Sequence, residues 1–480
     1  MKRQWWWGIS LAAAAFLITG GGCGSVVLKV MKGLSGENRV LSRYQWKAFR
    51  WCTNGLPLVN HLEKLTDDDT YILIFGNNTE LRPTGGFMGS YAKITFKNGV
   101  MKEMRVHDIY QPDGQLPGHV EPPYPVQESF RQGWWKLRDA NWKIDYRKAA
   151  QDIGWFLEQG GEERIDGIIT VNLGTVNGLI GILEPVQVRT YDATVTRENF
   201  YQLAQSEAEV GFKPGSTQKR DFLGAAGVAL WEKTKSAKPA EIFKIIKLIK
   251  SELDDGQVLV WIKDTEAQKE AELWKWGGDL GFRHGLDYLY IVETNLGANK
   301  ANCCIQRKVN QEINNLSQSS SLRNTIKTEW ANSGQYPSPR PPEFWGGDYF
   351  NYVRTVVPRN TGIKRIRIED GVGERILRES VPADFASPNS LRQERSYDMY
   401  HTEDVEEDLK SVGFWVRVNA GSTASAELEL ESQAEDKNSY SVLVKRQPGI
   451  EGFDYQLTVN GKIEVRDRVE RDREFTVALW

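Results

Sequence analysis

The segment Gly76–Gly89 (GNNTELRPTGGFMG) carries the densest set of residues that could perform chemistry. The planar guanidinium fork of Arg82 suits a phosphate or carboxylate ligand, and Glu80 stands two residues earlier. Gly85 and Gly86 allow the backbone to approach a ligand closely or to take a positive φ. The phosphate-loop pattern Gly-x4-Gly-Lys-Ser/Thr is not found here, so two interpretations stay open: an anion-binding loop, or a turn in which Glu80 and Arg82 satisfy each other.

A second polar group lies at the end of the long loop of residues 110–142. Arg138, Asp139 and Asn141 lie close together there, and Asp145 just beyond them is best explained as a helix N-cap. Arg105 and Asp108 end a strand and are expected to face the same cleft.

A metal site could be drawn from His107, Asp108, Asp113 and His119, but no ligand spacing supports it, and ordinary loop polarity is the preferred explanation. The chain has only 5 His and 4 Cys, and it lacks both a Gly-x-Ser-x-Gly elbow and a His-Glu-x-x-His helix. Any catalysis must therefore use arginine and carboxylates, with a divalent cation as the expected helper, which indicates phosphate chemistry. With 61 Lys+Arg against 64 Asp+Glu, the net charge of -3 gives no electrostatic case for nucleic-acid binding.

The elements that position these residues fall into two domains, as expected for 480 residues. Residues 65–302 interleave strands with helices and predict an α/β layered domain with a candidate cleft. The strands are predicted at Tyr71–Phe75, Met88–Phe96, Val100–Ile109, Asp166–Val171, from Val186, at Gln257–Ile262 and Asp287–Thr294, and the helices at 146–160, Leu173–Leu183, Arg220–Thr234 and Ala240–Glu252. Residues 303–480 show short alternating strands and predict an antiparallel β-sandwich.

The N-terminus sets the predicted compartment. Lys2 and Arg3 precede an uncharged run of 24 residues, Trp5–Leu28, whose helical length of roughly 36 Å is enough to cross a bilayer. We favour an uncleaved signal anchor over residues 1–30, ahead of a lipoprotein signal ending at Cys23 and of a buried helix. Residues 31–64 read as a juxtamembrane helical stalk. The prediction is a single-pass cell-membrane protein with an extracytoplasmic body, in which Cys52 either bridges to Cys303 or Cys304 or stays unpaired.

Three strings carry a family resemblance: YILIFGNNTELRPTGGFMGSYAKITFKNGV, LRDANWKIDYRKAA and RIDGIITVNLGTVNGLIGILEPVQV. They resemble the bacterial domain-of-unknown-function family 4012, and the segments near 295–309 and 440–459 look like its later blocks. More distantly, the order of elements is similar to the LytR–CpsA–Psr family, which transfers glycopolymers from a polyprenyl-pyrophosphate carrier to the cell wall.

That second resemblance implies roles for the candidate residues. Arg82, Arg105 and Arg138 would hold the pyrophosphate, with Glu80 positioning Arg82. Asp108 and Asp139 would bind Mg²⁺ or act as the base. Asn141, Gly85 and Gly86 would complete the ligand site. The Arg-Ser-Asp-Thr string of those enzymes is replaced here by Arg82-Pro83-Thr84-Gly85.

Two main hypotheses follow for the function. The first is an Mg²⁺-assisted phosphotransferase acting on a polyprenyl-pyrophosphate-linked glycopolymer. The second is a non-catalytic envelope protein that binds or scaffolds a glycan or cell-wall polymer, which the missing acid after Arg82 favours. A purely structural envelope protein is the third.

Overall fold

The computed structural model describes residues 25–27, 29–30, 43–53, 57–131, 133–205, 218–315, 321–335, 346–382, 400–433, 436 and 438–479. The predicted membrane anchor, with Cys23, therefore lies almost entirely outside the described residues. Within the described part of the chain, none of the helices combines the length and apolar character that a membrane crossing requires. Of the predicted stalk, the helix Arg43–Cys52 is described, and its Trp46 and Phe49 pack against Val30 and Val59.

The first domain is built on a five-stranded mixed sheet with the order β3-β2-β1-β4-β7, in which only β1 and β4 run parallel. The strands are β1 Thr70–Asn77, β2 Phe87–Lys97, β3 Val100–Asp108, β4 Gly167–Asn172 and β7 Val258–Ile262, with a small separate pair β5 Val186–Val188 and β6 Ala193–Val195. The helices are α1 Arg43–Cys52, α2 Tyr110–Asp113, α3 Tyr124–Phe130, α4 Tyr146–Gln159, α5 Leu173–Leu183, α6 Phe200–Gln205, α7 Gln218–Lys235, α8 Pro239–Asp254 and α9 Thr265–Leu273.

Successive side chains of a strand point to opposite faces of a sheet, so the side chains of β1 contribute to the layers on both sides of the sheet. Ile72 and Ile74 are fully buried in a core shared with α4, which presents Ile153 and Phe156. The helix α4 begins at the predicted cap, where the Asp145 carboxylate accepts a hydrogen bond from the Lys148 amide at 3.3 Å. The mixed α/β architecture predicted from the sequence is confirmed.

Two seven-stranded sheets form the second domain, with the orders β13-β12-β17-β10-β9-β19-β20 and β14-β15-β16-β11-β8-β18-β21. They enclose one shared apolar core that includes Trp330, Phe414 and Tyr455. The strands are β8 Asp287–Asn295, β9 Ile305–Asn315, β10 Ser321–Asn332, β11 Tyr349–Pro358, β12 Gly362–Asp370, β13 Gly373–Leu377, β14 Glu379–Pro382, β15 Tyr400–Glu406, β16 Leu409–Val418, β17 Thr423–Gln433, β18 Ser439–Lys445, β19 Phe453–Val459, β20 Lys462–Val469 and β21 Arg473–Ala478.

The sandwich is mixed rather than purely antiparallel. The chain crosses from one sheet to the other twice in the same direction, from β8 to β9 and from β18 to β19, and the crossings lie side by side. The pairs β18–β8 and β19–β9 are therefore parallel, as is β14–β15. By its pairing β8 belongs to the sandwich, although it precedes the boundary that we predicted at residue 303.

The cysteines differ from the prediction. Cys303 and Cys304 form a disulfide with each other at the end of the 3-10 turn Ala301–Cys304. Cys52 is disulfide-bonded as well. A bridge from Cys52 to either residue of the adjacent pair is thereby excluded, because each of those sulfurs is already used.

Candidate functional site

Arg82 is the centre of a buried ionic cluster in the loop that follows β1. Its Nη1 donates to the Asn295 carbonyl at 2.6 Å, and its Nη2 lies 3.1 Å from Glu80 Oε1 and 3.5 Å from Asp139 Oδ1. The guanidinium lies 5.2 Å from the centre of the Phe87 ring, and the residue is only 2% exposed. Glu80 and Arg82 do satisfy each other, as the turn interpretation requires.

The second predicted group joins the same cluster through the 3-10 turn Leu137–Asp139. Arg138 Nε lies 3.6 Å from Asp139 Oδ2, and Arg138 Nη1 lies 3.6 Å from Asp113 Oδ2. The chain of charges therefore runs from Glu80 through Arg82, Asp139 and Arg138 to Asp113. Arg138 is the member nearest the solvent, with a side chain 25% exposed.

The predicted glycine pair packs closely against the protein itself. A Cβ at Gly85, where φ is +125°, would lie 2.7 Å from Asn172 Oδ1, and one at Gly86 would lie 2.3 Å from the Asn77 backbone carbon. Asn141 is buried and donates from Nδ2 to the Gly86 carbonyl at 2.9 Å. These three residues let the loop fold tightly beneath the sandwich; whether they also touch a ligand stays a prediction.

Both chain segments that cross between the sheets of the sandwich form hydrogen bonds with this loop. At the first crossing, the Asn302 amide donates to the Thr79 carbonyl at 3.1 Å, and its Oδ1 accepts from the Leu81 amide at 3.0 Å. At the second, Gln447 Nε2 donates to the Arg82 carbonyl at 3.0 Å. The Arg82 cluster is thus a joint between the two domains, and sequence patterns within one element cannot reveal such a joint.

Asp108 and Arg105 are not in the ionic cluster. They sit three residues apart on β3 and so point to opposite faces of the sheet. Arg105 is exposed and pairs with Glu103 on its own strand. Asp108 Oδ1 accepts from the Tyr110 amide at 2.9 Å, which places Asp108 beside the cluster without a direct contact. The single cleft expected for all five charged residues is therefore wrong for Arg105.

The acidity of Asp113 is altered by its surroundings. Its Oδ1 accepts from the Leu137 amide at 2.6 Å, whereas its Oδ2 is buried with no hydrogen-bond partner among the described residues. Burial raises the pKa of Asp113 to about 6, although the Leu137 amide and the Arg138 charge act in the opposite direction. The sequence offered Asp113 only as part of an unsupported metal site.

The carboxylates do not form a ready Mg²⁺ site. In the described residues no group of three or more His, Cys, Asp or Glu side chains is arranged to hold a metal ion. Both oxygens of Asp139 face arginines, and Asp108 is engaged by a backbone amide. Since Mg²⁺ takes oxygen ligands in near-octahedral geometry, Asp139 would have to release an arginine to serve as one.

Beside the cluster lies an exposed surface that the sequence reading missed. The Arg138 guanidinium lies 5.1 Å from the centre of the Tyr110 ring, and Lys136 Nζ lies 5.6 Å from the Trp134 ring. Both rings are exposed, Tyr110 at 52% and Trp134 at 45%. We call Tyr110, Trp134, Lys136 and Arg138 the cation–aromatic surface. Its signal was the alternation of large rings and cations in WWKLR, residues 134–138.

Comparison with known proteins finds a family model that matches the part of the chain containing the site. Residues 66–208 match the family model described as "Protein of unknown function (DUF4012)". The predicted resemblance is confirmed over these residues, which contain all three strings that carried it and the whole ionic cluster apart from its sandwich contacts. The segments near 295–309 and 440–459 lie outside the matched residues. No curated protein matches the chain.

Several solved bacterial structures show a more distant similarity. The transcriptional regulator yvhJ from Bacillus subtilis is 16% identical, with a TM-score of 0.26 over 45% of this chain and 78% of that one. TagV of B. subtilis is also 16% identical, with a TM-score of 0.27 over 44% of this chain and 80% of that one. Lin1025 from Listeria innocua is 11% identical, with a TM-score of 0.26 over 44% of this chain and 79% of that one.

Proposed function

We propose that this protein is a membrane-attached, extracytoplasmic component of the bacterial cell envelope that binds a polyprenyl-pyrophosphate-linked glycopolymer without transferring it. The observation that supports binding over transfer is the state of Arg82. Its guanidinium is buried and already contacts two carboxylates and a backbone carbonyl of the sandwich. An arginine that clamps a pyrophosphate must be free to reach it. Releasing Arg82 would leave the buried Glu80 without its arginine and Asp139 with only Arg138, at 3.6 Å.

We assign ligand binding to the cation–aromatic surface instead. Lys136 and Arg138 provide two positive charges for a phosphate group, and arginine can bind phosphate with two parallel hydrogen bonds. The exposed rings of Tyr110 and Trp134 add flat apolar area next to those charges, as expected at a binding surface. Asp113 and Asp139 lie beneath and hold Arg138 in place.

The neighbouring face of the sheet supports a lipid-linked ligand. Leu73 and Phe75 of the central strand β1 pack against an apolar cluster that includes Leu253 of α8, yet they remain only partly buried, in contrast to Ile72 and Ile74 on the other face. Through the strand register, Phe75 pairs with Ser90 and Ser90 with Asp108, so the polar end of this face is Asp108, which binds the Tyr110 amide. An apolar chain lying on this face would end beside the cation–aromatic surface.

The decisive experiment measures binding and turnover together. The full chain, solubilised in detergent, is titrated with a polyprenyl-pyrophosphate-linked glycan, and release of the polyprenyl phosphate product is followed in parallel. Binding without release is expected. Arg138→Gln should weaken binding by about tenfold, the loss of one charge-assisted contact. Arg105→Gln is the matched control, because Arg105 is an exposed arginine outside the cluster.

Unchanged binding by Arg138→Gln would refute the assigned surface, and equal losses in both variants would indicate non-specific charge attraction. Product release by the unmodified chain would refute the non-catalytic assignment.

A transferase remains the second candidate because of one feature, Asp113. A carboxylate with a pKa of about 6 and a buried oxygen that makes no hydrogen bond with the described residues is suited to accept a proton near neutral pH. In that case Asp113 would take the proton from an acceptor hydroxyl as its oxygen bonds to phosphorus and the polyprenyl phosphate leaves. Release abolished by Asp113→Asn, with binding retained, would establish this function in place of the first.

A further inference from the structure

The end of the sandwich away from Arg82 contains a cavity of about 520 Å³ between the first residues of β8 and the neighbouring strands. That volume lies in the range of small-ligand sites. Asp287 begins β8 at this cavity, whereas Asn295, which binds Arg82, ends the same strand. Eight residues of strand separate them by about 26 Å, so the cavity is a different site from the cation–aromatic surface.

A chain of polar side chains runs through the apolar core and ends at Asp287. Tyr455 donates its hydroxyl to Gln311 Oε1 at 2.6 Å, and Gln311 Nε2 donates to the Tyr440 hydroxyl at 2.8 Å and to Asn324 Oδ1 at 3.2 Å. Tyr440 and Asn324 then donate to the same oxygen of Asp287, Oδ2. Four of the five side chains are almost completely buried, and the carboxylate is the final acceptor.

Such a network is not explained by stability. Replacing both partners of a buried hydrogen bond by apolar groups of the same shape can be nearly neutral or stabilising, and the surrounding core is otherwise apolar. What the network does provide is a carboxylate fixed in position at the cavity wall, which is the support that a binding group requires. Asp287 Oδ1 accepts one hydrogen bond, from the Tyr288 amide at 2.7 Å, and so keeps acceptor capacity for a ligand donor at the cavity.

The lining determines which ligand would fit. Asp287, Asp408 and Asp436 face the cavity together with one arginine, Arg359, and His284, so the wall is acidic overall. Phe282 and Tyr440 add aromatic area, and serine and amide side chains supply further donors and acceptors. An acidic, hydroxyl-rich wall attracts ligands that present many donors and repels anions.

We propose that this cavity binds a sugar unit that carries no negative charge, with the Asp287 carboxylate accepting hydrogen bonds from its hydroxyl or amino groups. This inference goes beyond the proposed function, since it concerns the other end of the sandwich and a ligand without phosphate.

Titration of the detergent-solubilised full chain with three soluble oligosaccharides tests it: an N-acetylated chito-oligosaccharide, its de-acetylated counterpart and an oligogalacturonate. Binding is read from ligand-observed NMR. Binding of either chito-oligosaccharide in preference to the anionic one is expected. Asp287→Asn preserves the shape but removes the charge, and should weaken binding by about tenfold.

Two further variants test the proposal even if Asp287→Asn does not fold. Ser441→Trp narrows the cavity from a partly exposed strand position and should abolish binding. Asp454→Asn, at an exposed aspartate outside the cavity, is the control and should bind as the unmodified chain does. Preference for the anionic sugar, no binding of any of the three, or binding unaffected by both Asp287→Asn and Ser441→Trp would overturn the proposal. Arg138→Gln should leave this binding unchanged, so that failure here is distinguishable from failure of the proposed function.

Discussion

The substitution Arg82→Ala separates a structural role of Arg82 from a ligand-binding one. Removing the guanidinium leaves the Glu80 and Asp139 carboxylates without their shared partner in a site from which water is largely excluded. The Asn295 carbonyl also loses its 2.6 Å donor, so the joint between the domains loses one of its fastenings.

The expected loss follows from the burial of the charges. Breaking a buried ion pair by removing one partner typically destabilises a protein by about 3–5 kcal/mol. Arg138→Ala should cost only about 0–1 kcal/mol, because its partners lie 3.6 Å away and its side chain is a quarter exposed. If Arg82 served mainly to bind ligand, the two substitutions would have similar effects on the free protein.

The assay is urea unfolding of the detergent-solubilised full chain, followed by tryptophan fluorescence. A double variant, Arg82→Met with Asp139→Asn, removes the arginine together with one of the two carboxylates that it contacts. Its destabilisation should fall short of the sum of the single variants by about 1–3 kcal/mol, because the residues share one network. A loss below about 1 kcal/mol for Arg82→Ala would refute the view that this cluster stabilises the domain joint.

Three further outcomes are expected from the same structure. Because the pKa of Asp113 is raised to about 6 in the folded state, its contribution to stability is fully present below its unfolded pKa and is lost as pH rises through about 6. Thermal melts should therefore show that Asp113→Asn increases stability relative to the unmodified chain at pH 8 but not at pH 3.5. Gly449→Ala should lower the melting temperature more than Gly421→Ala, since both positions have positive φ but only a Cβ at Gly449 would meet a neighbour, the Gly85 carbonyl oxygen at 2.0 Å. Adding Mg²⁺ or EDTA should leave the melting temperature unchanged, because Asp139 already faces two arginines; a rise with Mg²⁺ that Asp139→Asn removes would contradict this expectation.

Much of the first domain follows from local sequence signals. The helix Leu173–Leu183 was predicted with its observed bounds, and β1 to β4 lie within a few residues of their predicted limits. Each of these elements has a strong pattern of its own: a buried apolar run, an alternation, a turn with Asn98-Gly99, or a cap such as Asp145. Helices and strands that have such a pattern within their own residues are predicted correctly from the sequence.

In the sandwich, the pattern within a strand does not determine which strands it pairs with. The strand Asp287–Asn295 was recognised as a strand but assigned to the first domain, because its apolar run shows burial and not the identity of its neighbours. Its partners β11 and β18 lie far along the chain. The short strands Gly373–Leu377 and Glu379–Pro382 carry little local signal, since they are polar edge elements with little apolar alternation.

The candidate site depends both on local spacing and on contacts between distant segments. Spacing alone brought Glu80, Arg82, Arg138 and Asp139 into one prediction, and the structure places them in one cluster. What spacing could not show was that Arg82 is covered by Asn295 and Gln447, two residues of the sandwich. Burial by a distant segment therefore changes the interpretation of Arg82 from an anion clamp to a structural ion, while Arg138 keeps access to solvent.

The strand β8 gives this difference a functional meaning. It carries Asp287 at the sandwich cavity and Asn295 at the Arg82 joint, so one rigid element connects the two proposed binding regions. A polymer that engages two linked sites gains affinity only if the geometry allows both contacts at once. A buried Arg82, held through both of its terminal nitrogens, fixes that geometry, whereas an arginine free to bind phosphate would leave the domains less firmly joined. Arg82→Ala should therefore weaken simultaneous binding at both regions more than it weakens binding of either short ligand alone, and equal losses for all ligands would show that the joint has no such role.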